Sequence, residues 1–122
     1  SSAASDVYKR QIQNTEIFMD CFAISPCTAD NCESPTIVGA KIADDLLDIK
    51  GIRATFVLTA YEGKVYISAR SIDELNVQVV MEKMGGGGHI TSAGAQLENC
   101  TLEEGAEQIK QILTKMKEEG DI

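Results

Sequence analysis

The sequence has one histidine, His89, and two prolines in 122 residues. It holds no apolar run near the roughly 20 residues that a membrane-spanning helix needs, and no segment reads as a secretory leader. Basic residues are scarce, 11 Lys and Arg against 19 Asp and Glu. Binding duplex nucleic acid without regard to sequence relies on a broad basic surface, so that class is disfavoured. An anionic ligand must then be small, and met by a local site that outweighs the general repulsion. Of the four cysteines (Cys21, Cys27, Cys32 and Cys100) only Cys27 and Cys32 are close in sequence, and a zinc site wants two such pairs or added histidines. Reduced thiols are expected, with Cys21 in a strand and the others near loops. What remains is one domain of ordinary globular composition, expected in the cytoplasm.

Against this background one stretch is unusual. Gly85, Gly86, Gly87 and Gly88 run directly into His89, and Ala93-Gly94-Ala95 follows. Four consecutive glycines cost backbone entropy that a packed fold would avoid, so something must need the bare backbone. Close approach of a ligand is such a need, with N–H groups directed at an anion. A flexible linker has similar composition. Apolar residues flank this run on both sides, however, and it reads as a binding loop. His89 reads either as a ligand contact or as a capping or core residue that steadies the turn.

The rest of the chain supplies a frame. Residues 1–16 read as an N-terminal tail or linker and 17–122 as the domain proper. Ile17 to Ile24 reads as a strand buried on both faces, interrupted by Asp20. Residues 25–33 read as a loop. Ser34 and Pro35 open a helix with an apolar stripe of Val38, Ile42, Leu46 and Ile49, which Gly51 ends. Asp44, Asp45 and Asp48 on it read as a solvated face, since no histidine or further acid joins them as metal ligands. Strands at 54–60 and 64–70 form a hairpin through Tyr61-Glu62-Gly63. In the second strand Ser68 and Arg70 share a face, either as a phosphate clamp or as plain surface residues. Ser71 with Glu74 has the form of a capping box, predicting a helix that buries Val77, Val80, Met81 and Met84. A short strand over 94–98 follows. Thr101 with Glu104 opens a last helix with the stripe Leu102, Ala106, Ile109, Leu113 and Met116. The expected fold class is α/β, a mixed sheet packed with helices.

Gly86-Gly87-Gly88-His89 followed by Ala93-Gly94 resembles the signature of the DHHA1 domain, the C-terminal partner of the DHH domain in a superfamily of phosphoesterases. The stretches 39–47, 68–71 and 76–78, the last running on to 84–89, are similar to its GdpP (YybT-like) branch of cyclic-di-AMP phosphodiesterases. The resemblance covers about 17–117; Ala93-Gly94-Ala95 stands where relatives often have Ala-Ala. It implies a substrate-binding DHHA1 domain over 17–122. Ser68, Arg70, Gly86, Gly87, Gly88 and His89 would hold a cyclic dinucleotide or a short linear oligonucleotide. It also implies a DHH domain in the same chain with a dinuclear manganese centre, whose ligands this sequence lacks. Catalytic residues, metal ligands and a cofactor are therefore not expected within 1–122, and the fragment alone should bind without hydrolysing. The parent would be anchored in the bacterial cell membrane, with this domain cytoplasmic and not touching lipid. A nanoRNase-type oligonucleotide phosphodiesterase shares the signature, and a docking module or homodimer is a further alternative.

Overall fold

The computed structural model describes residues 13–29, 34–72 and 74–122. Much of the expected tail, together with Cys32 and Asp73, lies outside them. Six strands form one sheet: β1 (Glu16–Phe18), β2 (Phe22–Thr28), β3 (Ala54–Tyr61), β4 (Lys64–Ser71), β5 (Gly87–His89) and β6 (Ser92–Glu98). Their order across the sheet is β1-β2-β3-β4-β6-β5. β2 and β3 run parallel, joined through helix α1 (Pro35–Leu47), and every other neighbouring pair is antiparallel. Helices α2 (Val77–Glu82) and α3 (Leu102–Glu118) complete an α/β domain with a mixed sheet.

The alternation of the strands sorts their side chains onto two faces. Phe22, Ile24, Phe56, Leu58, Val65, Ile67, Ala69 and Ala93 turn to one, where Val77, Val80 and Met81 of α2 and Ile109 and Leu113 of α3 cover them. On the other face Ala23 and Val57 meet Ala43 and Leu46 of α1. Both helical stripes of α2 and α3 are therefore placed as their spacing predicts. In α3 the capping box is complete: Glu104 N donates to Thr101 Oγ1 and Thr101 N to Glu104 Oε1, both at 3.0 Å.

The contact beneath α1 is polar and tight. A Cβ on Gly39 would stand 2.8 Å from Ser68 Oγ and 3.1 Å from Thr59 Oγ1, so only glycine lets the helix lie this close. Thr55 Oγ1 donates to the carbonyl of Ala43 at 2.8 Å. Thr59 Oγ1 is buried and has no hydrogen-bond partner among the described residues. An orphaned hydroxyl costs about 1–3 kcal/mol, and valine has the same shape without it. Thr59→Val should therefore raise stability by roughly 1 kcal/mol in urea denaturation; a loss would mean that the hydroxyl is satisfied.

Three local expectations are corrected. The stretch 17–24 is not one strand but a hairpin, because Met19 (φ 53°) and Asp20 (φ 65°) turn the chain and Cys21 N donates back to Phe18 O. Asp20 sits exposed in that turn. Residues Ser25 to Thr28 extend β2 along β3 where a loop was expected, and Cys27 falls in that strand. No helix begins at Ser71, which ends β4 and gives its hydroxyl to Leu75 O at 2.6 Å. Asn76 is the cap instead, its side chain accepting from Val79 N at 3.2 Å.

Candidate functional site

Half of the glycine run is strand and not loop. Gly85 has φ 86° and follows the end of α2, and Gly86 N donates to Met81 O at 2.8 Å. Gly87 and Gly88 then enter β5, an edge strand paired with β6. Three of these glycines are required by the fold itself. A Cβ on Gly86 would lie 2.0 Å from Gly94 O, and one on Gly88 would lie 2.5 Å from the Cα of Ala93. Gly85 needs its positive φ. Gly87 is different: a Cβ there would meet nothing within 4 Å, and its φ lies outside the left-handed region.

Register brings the expected site residues into a pattern. His89 of β5 stands opposite Ser92 of β6, and Ser92 opposite Arg70 of β4. The next row on the same face is Gly87, Gly94 and Ser68. Ala93 and Ala69 belong to the core on the other side, so the His89–Ser92–Arg70 row faces the side of α1. α1 packs mainly on β3 and β4. Beyond its flank lies a shelf over β6 and β5 with His89 exposed, Ser92 half-buried and bare backbone at Gly87. Neighbouring strands are about 4.8 Å apart, so the backbones of His89 and Arg70 are separated by roughly 10 Å, within reach of two long side chains meeting over Ser92.

Arg70 is held in place at the border of that shelf. Its Nε lies 3.1 Å from Asp44 Oδ1 of α1, and its Nη1 donates to its own strand at Ala69 O, 2.9 Å away. A guanidinium has five N–H donors, so three remain beyond these two bonds, and the side chain keeps 20% of its surface exposed. Ser68 lies apart from this group, buried in the seam under Gly39. Gly86 contributes its shape, since its N–H is used within the fold. Sequence reading missed Ser92 and Asp44. Neither stands out by residue type or spacing, and only register and helix placement reveal their positions beside Arg70.

Other candidates lead elsewhere. Among the described residues no three His, Cys, Asp or Glu side chains gather closely enough to hold a metal ion. Burial raises the thiol pKa of Cys100, with the charge of Glu104 adding to it, so the reactive thiolate is disfavoured. Cys21 is also a free thiol, in the β1–β2 turn. A groove of about 530 Å³ between Phe18 and α3 lies by the opposite edge strand, β1. Its lining mixes Glu107 and Glu118 with Lys110 and Lys115, and Glu16 already holds Lys110 at 2.6 Å. No described helix is long and apolar enough to cross a membrane.

The sequence profile of the DHHA1 domain matches residues 32–119. The cyclic-di-AMP phosphodiesterase PdeA of Listeria monocytogenes is 42% identical over 101 residues, 82% of this chain and 15% of that protein. The cyclic-di-AMP phosphodiesterase GdpP of Geobacillus thermodenitrificans is 45% identical over 82 residues, 66% of this chain and 12% of that protein. The chain thus spans under a sixth of the length of either relative. An exopolyphosphatase-related protein from Bacteroides fragilis shares the fold at a TM-score of 0.77 and 21% identity, over 96% of this chain and 36% of its own.

Proposed function

The chain belongs to the DHHA1 domain family, and we propose that it is the substrate-holding part of a metal-dependent phosphodiesterase that hydrolyses cyclic-di-AMP to linear pApA. The observation that carries this reading is Gly87. Its neighbours in the run are glycine for reasons internal to the fold, whereas Gly87 has open space above it, two residues from an exposed histidine. Bare backbone in such a place suits a ligand that comes close. Phosphate then lies over Gly87 and Gly88, where an edge strand leaves part of its backbone unpaired. His89 donates to a phosphate oxygen or to the base, and Arg70 offers its remaining N–H groups to the charge. Ser68, buried in the seam beneath α1, takes no direct part in the contact, and Gly86 fixes the path of β5.

Among the described residues no donor set fits a dinuclear manganese centre. We assign that centre to a DHH domain elsewhere in the parent protein, toward which this domain orients the diester. The parent is placed at the bacterial membrane with this domain on the cytoplasmic side, in line with the branch that the sequence resembles. The isolated chain binds nucleotide and leaves it intact.

The test is a titration of the ¹⁵N-labelled chain with cyclic-di-AMP, pApA and AMP, followed by amide and ring shifts. Shifts centred on Gly87, Gly88, His89 and Arg70 are expected, with the order of affinities naming the preferred ligand. Charge-assisted hydrogen bonds contribute about 1.5–3 kcal/mol, so His89→Ala should weaken binding by roughly 10- to 100-fold. Shifts at the groove beside Phe18, or binding indifferent to His89→Ala, would overturn the assignment. Preference for pApA over the cyclic form would favour an oligonucleotide phosphodiesterase.

A further inference from the structure

We infer that Ser92 is a third ligand-contacting residue, at the centre of the row that His89 and Arg70 flank; this rests on the binding role proposed above. Three observations point to it. Register sets Ser92 opposite both His89 and Arg70, so it is the one residue adjacent to each. Alternation along β6 directs it to their face, because Ala93 beside it is buried in the core on the other side. Its side chain is half-buried in the shelf, and no described side chain or carbonyl engages its hydroxyl.

The chemistry follows from the spacing. His89 and Arg70 start about two strand separations apart, on the order of 10 Å, so they can share one anionic group only where their side chains converge. That point lies above Ser92. A short hydroxyl there leaves room for a phosphate oxygen and can donate a hydrogen bond to it. A longer side chain at the same place would fill the volume that the phosphate needs.

The experiment compares Ser92→Ala, Ser92→Thr and Ser92→Leu with the unaltered 122-residue chain and His89→Ala. It measures affinity for cyclic-di-AMP by calorimetry, and the melting temperature of every variant. The expected result is about tenfold weaker binding for Ser92→Ala, near-complete rescue by Ser92→Thr and loss of binding for Ser92→Leu. Melting temperatures should stay together, which a purely structural role would not give. If Ser92→Ala binds as the unaltered chain does while His89→Ala loses affinity, the contact is overturned and the binding role stands. If the unaltered chain gives no binding that depends on His89, both fall together.

Discussion

Replacing Gly86 with alanine should destabilise the domain more than any other single-methyl addition in the glycine run. The added Cβ would stand 2.0 Å from the carbonyl oxygen of Gly94 and 2.7 Å from the Cα of Ala95. These obstacles are backbone, so no rotamer change relieves them; β5 must lift from β6 or the end of α2 must unwind. Either movement breaks the bond from Gly86 N to Met81 O and disturbs Met81 and Met84, both buried beneath. Overpacking costs typically 1–3 kcal/mol and occasionally more, and a clash with backbone at this distance belongs at or above the upper figure. For a domain of this size about 3 kcal/mol corresponds to a fall in Tm of roughly 10 °C. Thermal denaturation followed by circular dichroism measures it. A fall of only a degree or two would mean that β5 is displaced at almost no cost, and the glycine run would then be a loop after all.

That result bears on what the sequence could and could not disclose. The run was legible as a place needing bare backbone. Its strand was not, because glycines carry no side chains and so erase the alternation by which a strand is recognised. The hairpin at Met19 and Asp20 was hidden for a related reason: both hold positive φ without the Asn-Gly or Asp-Gly pair that usually marks such a turn. Ser71 shows the opposite failure. Its S-x-x-E spacing was real, yet its hydroxyl is taken by Leu75 O and Ile90 O, so tertiary contacts overruled a local signal. Where local and tertiary preferences agreed, as in the hairpin of β3 and β4 and in α3, the elements fall where their patterns place them.

The site divides in the same way. His89, Arg70 and the glycines stand out by type and spacing, and the register of the sheet brings His89, Gly87 and Arg70 onto one face. Asp44 belongs to a group of acids that sequence reads as a solvated face, and only the packing of α1 shows it holding Arg70. Ser92 sits in a run of small residues without distinguishing chemistry. Its position in the row arises from pairing between three strands, two of which, β4 and β6, are separated in sequence by α2 and β5.

Gly87→Val should give the reverse of Gly86→Ala: a fold kept and a ligand lost. Beyond its chain neighbours, no atom of the described residues lies within 4 Å of a Cβ at Gly87, and its backbone is not held at positive φ, so valine meets no steric barrier. β-Branched residues suit strands better than glycine does, over a scale of about 1 kcal/mol. The melting temperature should therefore hold or rise slightly. The same side chain would stand on the shelf beside Gly94, in the row next to His89, Ser92 and Arg70. A phosphate lying close to the backbone there would be pushed outward and lose the short contacts to His89 and Arg70. Losing even one charge-assisted hydrogen bond, about 1.5–3 kcal/mol, weakens affinity by roughly 10- to 100-fold. Calorimetric titration with cyclic-di-AMP, beside a melting curve of the same sample, separates the two effects. Unchanged affinity in a well-folded Gly87→Val variant would show that the ligand never approaches this glycine, and the assignment of the shelf would fail with it. A stable variant that has lost its ligand would instead place the demand for glycine at position 87 on binding, while that at 86 and 88 belongs to the close seam between β5 and β6.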